Sequence, residues 1–282
     1  MKRLHILATA CVLGFLAPAA PYAQPVQATQ NPAAAPDYVP RSGQAGKDVV
    51  WVPTQQALVD SMLNMAKVMK DDYLIDLGSG DGRTVITAAK RGVRAMGIEY
   101  NPDMVTLSQR NAEAEGVTDR ARFVRGDIFE SDFSQATVLT LFLLPELNLK
   151  LRPTILDMKP GTRVVSNTFT MDDWEPDQSV VLAENCSSFC RAYHWIVPAK
   201  VAGTWRLGDG ELRLSQSFQM LSGTLTRNGK SVPISEAKMT GSEISFLADG
   251  QRYTGRVEEN RMIGRSEASG VGQDWLATRS ST

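Results

Sequence analysis

The sequence predicts two folded domains, a doubly wound α/β domain with a largely parallel sheet and a smaller antiparallel β domain after it. The first prediction depends on residues 73 to 99, where a strand, a glycine loop, an apolar helical stretch and a second strand follow one another as in a βαβ unit. The second depends on the chain after residue 202, where short alternating segments are separated by Asp-Gly, Asn-Gly and Glu-Asn turns. A length of 282 residues suits one or two such domains.

Residues 1 to 23 have the pattern of a secretory signal peptide. A basic start, Met1-Lys2-Arg3, is followed by an uncharged apolar run over residues 6 to 17 and by small residues before a cleavage point after Ala23. The run is too short to cross a bilayer comfortably, so we expect no integral membrane span. The pattern predicts an exported protein, periplasmic or associated with the envelope, whereas a true start later in the chain would make it cytoplasmic.

The next segments predict a linker and then the elements of the α/β domain, which covers residues 48 to 199. Residues 24 to 47 are rich in Pro, Ala and Gln, which is typical of a disordered linker. Apolar residues at helical spacing predict helices over residues 55 to 69, 84 to 90, 102 to 115 and 147 to 158. Strands are predicted at residues 73 to 75, 95 to 98, 122 to 124, 138 to 144 and 162 to 166, and an antiparallel pair at 179 to 183 and 189 to 197 closes the sheet.

The glycine loop indicates which nucleotide the α/β domain binds. After the first strand the sequence is D-x-G-x-G-x-G, from Asp76 to Gly82, and Arg83 stands where a dinucleotide fingerprint has its third glycine. An acid at the mouth of the loop repels a phosphate and attracts an ammonium or a sulfonium. A ligand with an amine, a sulfonium, a ribose and an adenine fits, which is S-adenosylmethionine. The alternative is an ordinary strand-to-helix turn.

With these residues the sequence resembles the class I S-adenosylmethionine-dependent methyltransferases. Asp76 to Gly82 are similar to the first motif of that family, Ile98-Glu99 to the acid that ends its second strand, and residues 125 to 128 to its adenine-contacting segment. The resemblance covers roughly residues 50 to 198. It implies a Rossmann-like, doubly wound sheet of seven strands, S-adenosylmethionine as the cofactor and methyl transfer as the activity.

The resemblance also implies which residues hold the cofactor. The backbone amides of residues 78 to 80 would face the methionine carboxylate, Asp76 would hold the methionine amine, and Glu99 would accept from both ribose hydroxyls. Asp127 would accept from the adenine amino group, and the backbone N–H of Ile128 would donate to the ring. The alternatives are a solvated acid for Glu99 and the N-cap of a short turn for Asp127. The full implied set is Asp76, Gly78, Ser79, Gly80, Gly82, Glu99, Tyr100, Asp127 and Ile128.

The acceptor side of the site is implied by a narrower resemblance. The "VPT" residues 52 to 54, the glycine loop and the "LLPE" residues 143 to 146 look similar to the small protein-lysine methyltransferases, the mitochondrial type that methylates part of the ATP synthase. The chain lacks the Asn/Asp-Pro-Pro-aromatic motif of enzymes that methylate amino groups of DNA and glutamine. The resemblance therefore implies a protein lysine as acceptor, although Gln55 replaces the more usual proline after the threonine. The candidate acceptor-side residues are Trp51, Thr54, Pro145 and Glu146, and for the last two a loop proline and a solvated acid are equally good interpretations.

Charge, cysteine and histidine content limit the remaining chemistry. The formal net charge is −1 and no long Lys/Arg run occurs, so nothing favours a nucleic acid partner. Cys186 and Cys190 would lie about 13 Å apart in a strand, beyond disulfide reach, but a tight turn could still join them, and both arrangements stay open. No metal site is predicted, because no acid or His cluster accompanies the cysteines. His194, between Tyr193 and Trp195, is interpreted as a structural residue.

Residues 200 to 282 predict about eight short strands, and therefore a small antiparallel barrel or sandwich. We expect this domain to act as an interaction or substrate-presenting module, since it offers no nucleophile–base pair. Two functions stay open for the whole chain: an S-adenosylmethionine-dependent protein-lysine methyltransferase, or a protein that binds S-adenosylmethionine or S-adenosylhomocysteine without transfer. The intact acids of the cofactor site favour the first. The sequence does not determine the oligomeric state.

Overall fold

The computed structural model describes residues 38 to 280. The predicted signal peptide, and the predicted linker as far as residue 37, lie outside the described residues. Residues 44 to 51 form a short antiparallel hairpin of β1 (Gln44–Ala45) and β2 (Val50–Trp51). The last part of the predicted disordered linker is therefore folded, because its backbone pairs within this hairpin and its Lys47 side chain contacts Asp127 of the α/β domain.

The α/β domain is built around one mixed sheet of seven strands. Its strands are β3 (Tyr73–Leu77), β4 (Arg94–Glu99), β5 (Ala121–Arg125), β6 (Val138–Leu141), β7 (Arg163–Asn167), β8 (Gln178–Val181) and β9 (Arg191–Ile196). Its helices are α1 (Gln56–Met65), α2 (Arg83–Lys90), α3 (Pro102–Ala114) and α4 (Pro145–Leu156). The strand order is β5-β4-β3-β6-β7-β9-β8, with the first five parallel and β9 antiparallel to both of its neighbours. The predicted doubly wound, seven-stranded architecture is confirmed.

The apolar run that was predicted as one strand over residues 138 to 144 is divided between a strand and a loop. Strand β6 ends at Leu141, and α4 begins at Pro145, whose fixed φ and missing N–H suit the first position of a helix. All four residues of β6 are buried, as expected for a strand that is covered on both faces. Residues 142 to 144 therefore form a loop at the carboxyl end of the central strand.

Apolar helix faces cover both sides of this sheet. One buried cluster includes Leu58 of α1 and Val85 of α2, and the other includes Leu151 of α4 with Trp174 and Trp195. Strand β3 lies where the strand order reverses, with β4 on one side and β6 on the other, so the loops that follow these strands diverge and leave a crevice. Among the described residues, no helix combines the length and the hydrophobicity needed to cross a bilayer.

The second domain is an antiparallel β barrel. Its strand segments are β10 (Gly203–Leu207), β11 (Gly210–Ser217), β12 (Met220–Arg227), β13 (Lys230–Pro233), β14 (Ser235–Thr240), β15 (Glu243–Ala248), β16 (Gln251–Glu258), β17 (Arg261–Ala268) and β18 (Val271–Arg279). The last segment, β18, pairs with the first, β10, and so closes the ring. Since β13 and β14 both pair with β12, the segments make an eight-stranded barrel. Of the two predicted architectures, the barrel is the one observed.

Turn chemistry and an apolar interior stabilise the barrel. Asn228-Gly229 has φ angles of 49° and 75°, and Asp249-Gly250 has 49° and 73°, as type I′ hairpin turns require. Trp205, Phe246 and Tyr253 are fully buried, and the rings of the last two stack with centroids 4.7 Å apart. The interior is therefore a packed core of side chains.

The barrel packs directly on the α/β domain. The ring of Phe218 stacks on the fully buried Trp174 at a centroid distance of 5.9 Å. The Lys238 ammonium lies 2.9 Å from the Asp177 carboxylate, and Gln219 Nε2 donates to a backbone carbonyl of the α/β domain at 2.8 Å. These contacts combine apolar burial with polar pairing, so the two domains share a fixed junction.

Candidate functional site

The crevice at the carboxyl ends of β3, β4 and β6 is a pocket lined by residues from several separate motifs. They come from the glycine loop, from the ends of β4 and β5, and from residues 44 to 54, which we name the hairpin segment. The predicted residues that line this pocket are Trp51, Thr54, Asp76, Gly78, Ser79, Gly80, Glu99, Tyr100, Asp127 and Ile128. The fold therefore brings the predicted cofactor motifs to one place, because parallel strands end at the same edge of the sheet.

The glycines of the loop serve different purposes. Gly80 has a φ of 54°, and a Cβ there would lie 2.5 Å from Nε1 of Trp51 in the hairpin segment. Gly82 does not line the pocket. It precedes α2 with a φ of 83°, and a Cβ there would lie 2.7 Å from the Phe123 ring and from Ser108. Gly82 is thus required by packing beneath the loop, while Gly80 lets the hairpin segment approach.

The backbone amides of the loop are paired within the protein, which differs from the predicted contact with a methionine carboxylate. The N–H groups of Gly78 and Ser79 donate to the carbonyl of Ile98 at 2.9 and 3.1 Å. The N–H of Gly80 donates to Oε2 of Glu99 at 2.9 Å. The physical reason is that the chain turns across the end of β4 directly after β3, so these donors meet acceptors of the neighbouring strand.

Asp76 is a buried acid at the base of the pocket. It lies one residue before the end of β3, and its carboxylate accepts a hydrogen bond from Oγ1 of Thr140 on β6 at 2.6 Å. Burial raises the pKa of Asp76 to about 7, and the negative charges of Glu99 and Asp81 add to this effect, while the Thr140 hydrogen bond opposes it. A positively charged ligand group beside Asp76 would favour its ionised form.

Glu99 is held rigidly at the end of β4. Its two carboxylate oxygens accept from the N–H of Gly80 and from the N–H of Asn101, each at 2.9 Å. The side chain is half-buried rather than fully solvated. A carboxylate has about four acceptor positions, so two remain for a pair of ligand hydroxyls.

Asp127 contacts a residue that the sequence did not single out. One oxygen accepts from the N–H of Phe129 at 2.9 Å, which is the short-turn cap considered as the alternative. The other pairs with the ammonium of Lys47, and this hydrogen bond is the main cause that lowers the pKa of Asp127. The ammonium of Lys47 also lies 5.1 Å from the centre of the Tyr100 ring. No local pattern marks Lys47, because only the fold brings it beside Asp127.

The hairpin segment is fixed to the glycine loop and to the sheet. The backbone carbonyl of Thr54 accepts from Nη1 of Arg83 at 2.8 Å, and its hydroxyl accepts from Nδ2 of Asn167 at 3.1 Å. Arg83 in turn pairs with Asp81 of the loop. Both acceptor-side candidates of this segment, Trp51 and Thr54, therefore line the pocket, but Thr54 already has its polar atoms paired.

The other two acceptor-side candidates lie elsewhere. Pro145 and Glu146 are exposed at the start of α4 and do not line the pocket. There the proline suits the first helical position and the glutamate favours the positive end of the helix dipole. The wall at this point is formed instead by Phe142 and Leu143, which precede them.

A second depression, which we name the apolar groove, adjoins the pocket on its acceptor side. It lies between the hairpin segment and the aromatic side chains Phe142, Phe169 and Phe189. Phe189 belongs to a short loop that a disulfide closes between Cys186 and Cys190, whose Cα atoms are 5.6 Å apart. The tight turn left open by the sequence is therefore the arrangement adopted.

The α/β domain is similar to known methyltransferases. A family model described as the ANTKMT methyltransferase domain matches residues 76 to 178. A protein-lysine N-methyltransferase of Saccharolobus islandicus is 46% identical over 135 residues, which are 47% of this chain and 84% of that protein. An ATP synthase lysine N-methyltransferase of Homo sapiens is 32% identical over 162 residues, 52% of this chain and 69% of that protein.

One solved structure of similar sequence was determined with a nucleoside ligand. It is an RNA methyltransferase from Salinibacter ruber in complex with S-adenosyl-L-homocysteine, 47% identical, with a TM-score of 0.50. The similarity covers 53% of this chain and 96% of that chain. The family model ends at residue 178, so the barrel lies outside the matched residues.

Proposed function

Because the chain belongs to the class I S-adenosylmethionine-dependent methyltransferases, in the group that contains the protein-lysine N-methyltransferases, we propose that it methylates the side-chain amine of a lysine in a protein. The observation that carries this proposal is that Asp76, Glu99 and Asp127 line one pocket, and that this pocket opens onto an apolar groove. The first feature suits the cofactor, and the second suits a polypeptide acceptor.

The pocket residues fit S-adenosylmethionine, which when bound supplies a methyl group on a positively charged sulfur. Asp76 is a buried acid whose raised pKa a ligand ammonium would lower, and it would hold the methionine amine. Glu99 would accept from the ribose hydroxyls with its remaining acceptor positions. Asp127, beside Tyr100 and Ile128, would hold the adenine, with Lys47 released or shifted from Asp127. Gly78, Ser79 and Gly80 would shape the loop around the methionine end.

The contribution of the protein to the chemistry is to orient the acceptor and to remove its proton. A lysine amine has a lone pair only when neutral, and its ordinary pKa is about 10.4. Trp51, Phe142 and Leu143 line the pocket where it meets the groove, and such apolar surroundings disfavour an ammonium and lower its pKa. His194 is buried in β9 and lines neither the pocket nor the groove, so no role in proton transfer is assigned to it.

An RNA acceptor is the alternative suggested by the Salinibacter ruber structure. Binding to RNA depends on neutralising phosphates with lysine and arginine side chains. This chain has a formal net charge of −1, and the lysine at its pocket, Lys47, is paired with Asp127. The groove beside the pocket is apolar. These features favour a protein acceptor.

The proposal is tested by supplying the purified chain with radiolabelled S-adenosylmethionine and an extract of proteins and RNA from the source cells, then locating the label by mass spectrometry. We expect label on lysine side chains, and none with an Asp76→Asn variant. Label on RNA, on carboxylates or on small phenols would contradict the lysine assignment. Binding of S-adenosylhomocysteine without transfer to any fraction would favour the binding-protein alternative.

We also propose that the protein acts outside the cytoplasm, in the periplasm or at the envelope. The Cys186–Cys190 disulfide supports this location, since disulfides persist mainly in oxidising compartments. Fractionation of cells after rapid alkylation of free thiols would test it. A reduced protein recovered with the cytoplasmic fraction would exclude export.

A further inference from the structure

The apolar groove continues the cofactor pocket outward and is open to solvent. The two share a wall that includes Val50, Phe142 and Leu143. Val50, Leu144 and Phe189 are 57%, 41% and 41% exposed, although each is a large apolar side chain. A continuous exposed apolar surface beside a ligand pocket is typical of a binding surface.

Phe189 is presented to this groove by an unusual backbone conformation. Its φ is 55°, in the left-handed region that a bulky residue rarely adopts. The disulfide between Cys186 and Cys190 closes residues 186 to 190 into a small loop, which we name the disulfide loop. Gln55 Nε2 donates to Ser187 Oγ at 2.7 Å and so ties this loop to the residue that precedes α1. Backbone strain that is held by such constraints is typical of functional positions.

The chemistry of the groove is aromatic and apolar, with its charges already matched. The Phe142 ring contacts Phe189 edge-on at a centroid distance of 5.3 Å and Phe169 at 6.3 Å. The charged residues that line the groove are Lys47 and Asp48, whose charged atoms lie 3.7 Å apart. A polar side chain placed there would lose hydration without a new partner, whereas an aliphatic or aromatic one would bury apolar surface.

We infer that Phe189, presented by the disulfide loop, is a specificity-determining residue that binds an apolar side chain next to the acceptor lysine. The occupant of the groove is an apolar segment of the acceptor protein, with its lysine directed to the wall that the groove shares with the pocket. This inference rests on the proposed lysine transfer, because the groove is continuous with the pocket assigned to the methyl donor. The disulfide acts indirectly, by holding Phe189 in position.

The test compares two synthetic peptides with the same central lysine, one flanked by leucine and valine and the other by serine and glycine. Methyl transfer is measured as kcat and KM, and binding of each peptide is measured by calorimetry with S-adenosylhomocysteine present. The parent protein should prefer the apolar peptide by about tenfold or more in kcat/KM, through KM. Phe189→Ala should lose most of that preference, with kcat and the affinity for S-adenosylhomocysteine unchanged.

Three further variants separate a specific role from a general loss of structure. Phe189→Leu keeps an apolar side chain and should retain most of the preference. A double variant, Cys186→Ser with Cys190→Ser, should resemble Phe189→Ala. If that variant fails to fold, the two Phe189 variants decide the question. Val181→Ala changes another exposed apolar residue, 55% exposed on β8 and outside the groove, and should behave like the parent.

The outcomes also distinguish this inference from the proposed function. Transfer to both peptides with equal kcat/KM, or an unchanged preference in Phe189→Ala, would overturn the inference and leave lysine methylation in place. Preferential binding of the apolar peptide that Phe189→Ala abolishes, without transfer to any lysine, would support the groove and overturn the proposed reaction.

Discussion

Replacing Asp76 with asparagine should stabilise the cofactor-free protein at neutral pH and weaken its cofactor binding. Asp76 is 7% exposed, and Thr140 donates a hydrogen bond to its carboxylate at 2.6 Å. Burial, with Glu99 and Asp81 nearby, raises the pKa of Asp76 to about 7. An asparagine side chain can accept the same hydrogen bond without carrying a charge.

The raised pKa determines the size of the effect and its dependence on pH. In the unfolded chain the carboxyl has its ordinary pKa of 3.8, so above that pH the unfolded state ionises freely while the folded state resists ionisation. The stability that the neutral carboxyl preserves is full below pH 3.8, is lost as the pH rises towards about 7, and changes little above that value. Each pKa unit corresponds to about 1.4 kcal/mol, so ionisation of Asp76 lowers the free energy of unfolding by at most about 4 kcal/mol.

Urea unfolding of both proteins at pH 5 and pH 8 measures this effect. The free energy of unfolding of Asp76→Asn minus that of the parent should be about 2.5 kcal/mol larger at pH 8 than at pH 5. Calorimetry at pH 8 should show S-adenosylhomocysteine binding weakened by about 10- to 100-fold, since a hydrogen bond to a charged group is lost. An equal difference in stability at both pH values, or unchanged affinity for S-adenosylhomocysteine, would refute the reasoning.

Three further changes test other parts of the structure. Glu99→Ala should weaken S-adenosylhomocysteine binding by about 2–4 kcal/mol in calorimetry, because two hydrogen bonds to a charged acceptor are lost, and parent-like affinity would show that Glu99 does not hold the ribose. Phe218→Ala should lower the free energy of unfolding by about 1–3 kcal/mol, because its ring covers Trp174 at the domain junction, with cofactor affinity unchanged, and undiminished stability would mean that this contact is dispensable. His194→Leu should be less sensitive to acid than the parent between pH 6.5 and about 4, because burial lowers the pKa of His194 to about 4 and stability is lost as the unfolded state takes up a proton; equal acid sensitivity in urea unfolding would contradict this.

The acids of the pocket could be predicted from sequence because each has a fixed place relative to a strand. Asp76 is near the end of β3, Glu99 ends β4, and Asp127 follows β5 by two residues. Parallel strands bring their carboxyl ends to one edge, so the order of motifs along the chain was enough to place these side chains together.

The barrel was predictable only in part. Dipeptides such as Asn228-Gly229 encode the local turn and therefore the hairpins. Whether the strands form a sandwich or a closed barrel depends on the pairing of β10 with β18, through Trp205 opposite Arg279. No local signal encodes a contact between segments about seventy residues apart, because its free energy comes from the packing of the finished core.

By itself, the sequence determined the βαβ architecture, the glycine loop, the three acids and the hairpins, since all of these follow from local backbone geometry and periodicity. Only the tertiary structure placed Lys47 on Asp127 and moved the acceptor wall from Pro145 and Glu146 to Phe142 and its neighbours. It also decided that Cys186 and Cys190 pair, which presents Phe189 to the groove. These contacts join residues that are distant in sequence or that depend on one exact turn, and they form only when the strand ends and the hairpin segment pack together.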